Sequence, residues 1–106
     1  MVYKLAQTMD PILPIGETIR SLRKKKRIKQ KEFAKNVSIS VPYLSLIENN
    51  KERPSLHLIK KIALKLEVEP EELILTAYEK TPQNERLKGK RRKEVKNILK
   101  DVLSVL

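Results

Sequence analysis

Cysteine is absent from this 106-residue chain, which leaves no disulfide framework and no thiolate metal site. A lone histidine, His57, and scattered acids assemble no set of metal ligands, so His57 is read as a surface residue of a helix. There is no tryptophan, and aromatics are 4% of residues, too few for the stacking platforms that grip single-stranded nucleic acid. Two glycines and few β-branched alternations speak against strands. No apolar run approaches the ~20 residues that span a bilayer. The N-terminus lacks the apolar stretch of a secretory leader. Ser21, Ser45 and Ser55 have no base in any recognisable nucleophile motif. These absences point away from an enzyme, from a bound cofactor or metal, and from a membrane protein. Lack of cysteine fits a reducing cytoplasm.

Positive charge is what the chain has in excess: 24 Lys and Arg against 13 Asp and Glu, a formal net charge of +11. Such an excess speaks about partners rather than fold. Nucleic acid is the first polyanion to consider, and an anionic membrane surface is its competitor. Hydrophobic residues, 40% of the chain, suffice for one helical core. The length suits one small domain with an appendage.

Residues 1–14 carry Pro11 and Pro14 and read as an arm, with Ile12 and Leu13 set against the core. A helix is predicted from about Glu17 to Lys26, with Ile19 and Leu22 inward. Its other side holds Arg20, Arg23, Lys24, Lys25, Lys26 and Arg27, with no acid between Arg20 and Lys31. A charge run is usually a solvated face; this one reads as a surface that meets a polyanion backbone.

Residues 30–49 form the most informative stretch. Phe33, Ala34 and Val37 fall on one helical face, Ile39 sits in a turn, and Leu44 and Ile47 form the inward face of a second helix. Ser40 is a good N-cap for that helix, and Pro42 is tolerated in its first turn. The outward side, Val41, Pro42, Ser45 and Leu46, is left free to touch something else. A helix held up by another helix in this way is the apparatus that enters a DNA major groove.

Asn49 to Ser55 is a loop rich in turn formers. A fourth helix is predicted from Leu56 to Leu66, with Leu58 or Ile59, Ile62, Ala63 and Leu66 inward. A fifth begins near Pro70, where Glu71 and Glu72 suit the N-terminal dipole, and buries Leu73, Ile74 and Ala77. Thr81 to Asn84 reads as a linker. The last stretch is an amphipathic helix with a frayed start at Gly89 and a stripe of Val95, Ile98, Leu99, Val102, Val105 and Leu106. That stripe needs a cover. It packs on its own core or pairs with the same helix of a second chain; its confinement to an end segment favours pairing, a dimerisation element. The chain thus divides into an arm (1–14), a domain (15–80) and a linker with a basic amphipathic helix (81–106).

The segment Ile15 to Leu75 resembles the Cro and phage-repressor helix-turn-helix proteins, also called the Xre family. The resemblance is carried by Ile15-Gly16, Ile19 to Arg23, Gln30 to Ala34, Val37-Ser38, Ser40 to Glu48 and Pro54-Ser55. It implies an all-α fold: a five-helix Cro/repressor-like domain followed here by the C-terminal helix. Two positions depart from the family pattern, Ser38 and Asn50, where glycine is common. Ser38 is expected at positive φ, at a strain of roughly 1 kcal/mol, whereas Asn50 tolerates that conformation better.

By the same resemblance, Val41, Pro42, Ser45 and Leu46 would face the bases. Gln30, Lys31, Asn49, Asn50, Lys51 and Arg53 would lie along phosphates, Gln30 alternatively buttressing the reading helix. Tyr43 has two readings, a hydroxyl on a phosphate or a ring over the core edge. Arg23 and Glu48 would form a covered ion pair between the first and third helices. The reading set holds no Arg, Gln or Asn for bidentate base contacts, so direct readout should be modest and specificity should lean on DNA shape and dimer spacing. For a symmetric dimer, half-sites would lie one turn, ~34 Å, apart. The expected function is a transcriptional regulator, a repressor, that binds double-stranded DNA as a homodimer in the cytoplasm. The alternatives are an antitoxin-like protein with a protein partner on the C-terminal helix, and a charge-driven, non-specific nucleic-acid binder.

Overall fold

The structure, a computed structural model, describes residues 14–81 and 86–106. The expected arm, with Ile12 and Leu13, and most of the expected linker lie outside the described residues. Six helices are described: α1 (Ile15–Lys25), α2 (Gln30–Asn36), α3 (Val41–Glu48), α4 (Leu56–Lys65), α5 (Pro70–Glu79) and α6 (Gly89–Ser104). The fold is all-α, as the residue pattern implied, and no strand occurs among the described residues.

Local chemistry sets the boundaries. Helix α1 starts at Ile15, two residues earlier than expected, because the Pro14 carbonyl accepts both the Thr18 amide (3.1 Å) and the Thr18 hydroxyl (2.9 Å). Ser40 and Ser55 cap α3 and α4 by accepting from the Tyr43 and Leu58 amides at 3.2 and 3.1 Å. Pro70 opens α5 with Glu71 and Glu72 in its first turn.

Four consecutive helices end in one motif. Arg27, Ser38, Asn50 and Glu67 each take φ near +59° (58° at Glu67), the left-handed cap position that glycine usually fills. The next amide bonds back across six residues: Ile28 to Arg23 (3.1 Å), Ile39 to Ala34 (3.0 Å), Lys51 to Leu46 (2.8 Å) and Val68 to Ala63 (3.0 Å). Three of those residues, Ile28, Ile39 and Val68, then pack against the core. Three of the four stops therefore also direct the chain inward; after α3 the exposed Lys51 leads it into the loop.

The core joins Ile15 and Ile19 of α1, Phe33 and Ala34 of α2, Val37, Leu44 and Ile47, Ile59, Ile62, Ala63 and Leu66, and Leu73 and Ala77 of α5. On α4 it is Ile59 that is buried, while Leu58 is half-buried; on α5, Ile74 is half-buried and Leu75 is buried instead.

Leu75 is covered by α6. That helix docks on α5 with Leu103 buried and Val95 and Leu99 half-buried, and the Lys60 ammonium of α4 donates to the carbonyls of Leu103 (2.9 Å) and Leu106 (3.2 Å). The stripe read from sequence is in fact two adjacent faces. Val95, Leu99 and Leu103, four residues apart, turn toward the domain, Val95 and Leu99 beside Leu75 and Tyr78 of α5 and Leu103 near Lys60 of α4. Ile98, Val102 and Val105 lie on the neighbouring face and stay 62%, 51% and 82% exposed. The helix therefore folds back on its own domain and still presents an apolar ridge.

Candidate nucleic-acid interface

Helices α2 and α3 cross through small and apolar contacts. Phe33, Ala34, Val37, Leu44 and Ile47 are all at most 1% exposed, and Ala34 permits the close approach. Between the helices, Ser38 reverses the chain so that Ser40 can cap α3. The opposite face of α3 looks outward: Val41, Pro42 and Leu46 are exposed and Ser45 is half-buried. Tyr43 is half-buried and its ring packs on the core edge.

A buried polar cluster fixes α3 relative to α1 and α2. Arg23 grips the Glu48 carboxylate with two bonds, Nε to Oε2 at 2.7 Å and Nη2 to Oε1 at 3.0 Å. Its remaining Nη1 donates to the Ile28 carbonyl at 2.7 Å. Gln30 Nε2 adds a third bond to the carboxylate, to Oε1 at 3.1 Å. The two charged side chains are only 8% and 2% exposed, and no buried side-chain polar atom among the described residues lacks a partner. A bidentate guanidinium–carboxylate pair has one preferred geometry, so it sets orientation as well as proximity. Gln30 thus takes the buttressing place of its two readings.

The loop after α3 is built from two kinds of residue. Asn49 Nδ2 donates back to the Ser45 carbonyl at 2.8 Å and so holds the end of α3. Asn50, expected on a phosphate, has its Oδ1 turned inward, where it accepts the Glu17 amide at 3.3 Å and caps α1. Gly16 is buried beside it: a Cβ there would stand 1.6 Å from the Ile47 carbonyl oxygen and 2.8 Å from Asn50 Oδ1. The start of α1 therefore lies directly against the end of α3. Sequence reasoning noted the Ile15-Gly16 pair without this reason for it, because the contact joins residues more than thirty positions apart. Lys31, Lys51 and Arg53 are exposed and have no ion-pair partner among the described residues.

The arrangement presents a short convex helix, apolar at its tip, flanked by cations on α2 and on the following loop. No group of three or more His, Cys, Asp or Glu residues among those described is placed to hold a metal ion. No described helix is long and apolar enough to cross a membrane.

A helix-turn-helix family model matches residues 19–73. The chain belongs to this family of Cro and phage-repressor type, whose members are DNA-binding transcriptional regulators. It is 37% identical over 62 residues to the ImmF control region 10 kDa protein of Bacillus phage phi105, covering 58% of this chain and 69% of that one. It is also similar to the crystal structure of the restriction-modification controller protein C.AhdI from Aeromonas hydrophila. There the identity is 31% and the TM-score 0.55, over 58% of this chain and 94% of the other. A likeness of fold alone extends to the clp gene regulator ClgR from Corynebacterium glutamicum, with TM-score 0.61 and 20% identity over 89% of this chain and 87% of that one.

Proposed function

We propose that this protein is a sequence-specific regulator of transcription, a repressor that acts as a dimer on double-stranded DNA in the cytoplasm. The observation that carries the reading is the outward face of α3, held rigidly by the Arg23–Glu48–Gln30 cluster and flanked by unpaired cations. Val41, Pro42, Ser45 and Leu46 enter the major groove. Lys31, Lys51 and Arg53 lie along the phosphates, with the Tyr43 hydroxyl, Gln30 and Asn49 at the margin of the contact. An apolar tip meets thymine methyls and fills space, so a large part of the selectivity comes from duplex shape and from the spacing of two half-sites.

The dimer contact is the exposed ridge Ile98, Val102, Val105 and Leu106, with Val95 and Leu99 shared between it and α5. An apolar row four and three residues apart matches the seam that two helices bury together. The same ridge also supports a second reading, capture of a different protein. The two readings part on the mass of the purified chain alone.

The test is titration of the protein against duplex from its own upstream region, with and without excess random duplex, at two salt concentrations. Binding that survives competitor and is lost in Ser45→Glu/Leu46→Glu supports the reading. Binding that random duplex abolishes, with equal salt sensitivity for every sequence, reduces the helix pair to a charge-driven anchor.

A further inference from the structure

The helix-turn-helix unit does not account for where the charge lies. Residues 86–106 carry eight Lys or Arg and two acids, net +6, whereas residues 14–81 carry fifteen and nine, also net +6. A segment of 21 residues thus equals one of 68. Two of its cations are accounted for: Arg92 bonds Glu72 at 2.8 Å and Glu79 at 3.2 Å, and Lys96 bonds Glu69 at 3.0 Å and Glu72 at 3.3 Å. Arg86, Lys88, Lys90, Arg91, Lys93 and Lys100 are exposed and have no ion-pair partner among the described residues. Docking of α6 uses the inward pair and leaves the outward set unused.

The contacts also place this set. Lys26, just past the end of α1, pairs with Glu67, which closes α4 three residues before α5 begins; along α6, Arg92 reaches Glu79 at the end of α5 while Lys96, one turn on, reaches Glu69 just before its start. Helix α5 therefore runs antiparallel to both α1 and α6. The start of α1 lies against the end of α3 through Gly16 and Asn50. The basic first half of α6 and the loop that carries Lys51 and Arg53 consequently stand at the same end of the domain. The apolar ridge is at the other end of α6, near Lys60.

We propose that the exposed first half of α6, with Lys88, Lys90, Arg91 and Lys93, is a second phosphodiester contact that grips duplex DNA beyond the bases α3 reads. The proposal rests on the DNA-binding reading above. Helix α6 is then bipartite, with a polyanion face on its first half and an apolar ridge on its second. Contacts of this kind add affinity and no sequence information, and each releases condensed counterions from the duplex.

The test compares the full-length protein with Lys90→Gln/Arg91→Gln/Lys93→Gln, whose fold is checked by circular dichroism and melting. Affinity is measured against salt on a long upstream duplex and on one trimmed to the α3 footprint. The expected result on the long duplex is a log–log salt slope shallower by about 2–3 and affinity lower by about tenfold or more, with little change on the trimmed duplex. An unchanged slope and affinity on the long duplex overturns this proposal while leaving the DNA-binding reading intact. Failure of the unsubstituted protein to bind any duplex overturns both.

Discussion

Arg23 and Glu48 sit 25 positions apart in the chain, and at 2.7 Å they decide how α3 is presented. Both are buried, and Glu48 accepts three bonds in total, two from Arg23 and one from Gln30. Removing the carboxylate leaves a guanidinium with no counter-charge in the interior. Glu48→Ala is expected to destabilise the fold by about 3–5 kcal/mol, read from urea midpoints, and an unchanged midpoint would remove the pair from any structural role. Gly16 is a second such position, for steric rather than electrostatic reasons. A methyl group there meets the Ile47 carbonyl, which is backbone and has nowhere to go. Gly16→Ala should therefore cost about 3 kcal/mol. Thermal melting checks this, and a change below measurement error would mean that α1 can slide away from α3. The charge pair was foreshadowed by the family pattern; the clash was not, since nothing local to residue 16 reveals a carbonyl from α3.

Four helix ends among the described residues adopt left-handed caps without glycine, at Arg27, Ser38, Asn50 and Glu67. Two of these, Ser38 and Asn50, stand out because the family pattern has glycine there. Arg27 and Glu67 carry no such mark, because a basic and an acidic residue signal solvent rather than φ. Strain at these caps is relieved by glycine, partly offset by the freer unfolded chain. Ser38→Gly and Glu67→Gly are each expected to stabilise by about 0.5–1 kcal/mol; destabilisation at both sites would show that the serine and glutamate side chains contribute more than the strain removes.

Docking of α6 on the domain involves charge as well as the burial of Leu103. The Arg92 guanidinium holds the Glu72 carboxyl below its ordinary value of 4.5; burial opposes it, and the Lys96 ammonium adds a smaller effect in the same direction as Arg92. A lowered folded value means that ionised Glu72 favours the docked state. That contribution is complete above about pH 4.5 and is lost as pH falls through the lowered value. Methyl signals of Leu103 should therefore report loosening of α6 in acid while the α1–α5 core persists, and Glu72→Gln should flatten the response. A pH-independent Leu103 environment down to global unfolding would assign docking to apolar burial alone.

For the whole molecule, the docked helix leaves Ile98, Val102 and Val105 in water. A row of this kind on an otherwise charged surface is an interface in waiting. If two chains meet there, Ile98→Asp/Val102→Asp converts a dimer into a monomer in analytical ultracentrifugation and weakens operator binding through lost half-site cooperation. A wild-type chain that sediments as a monomer at all concentrations would instead assign the ridge to another protein.

Composition and periodicity pointed to a small basic all-helical chain, and the family pattern supplied its helix-turn-helix class. The all-α architecture, the helix pair at residues 30–49, its inward residues and the outward face of α3 all follow from spacing within single elements, where neighbours in sequence are neighbours in space. The family pattern added the expected pairing of Arg23 with Glu48. Tertiary structure decided what depends on distant residues meeting. It turned Asn50 inward to cap α1, placed Gly16 against the Ile47 carbonyl, set Gln30 on Glu48 and buried Leu75. It also divided one apolar stripe into a docked face and a free ridge, because the domain covers only the side of α6 that carries Val95, Leu99 and Leu103. Helical spacing shows that such a stripe needs covering; only the packed neighbours show how much of it is already covered.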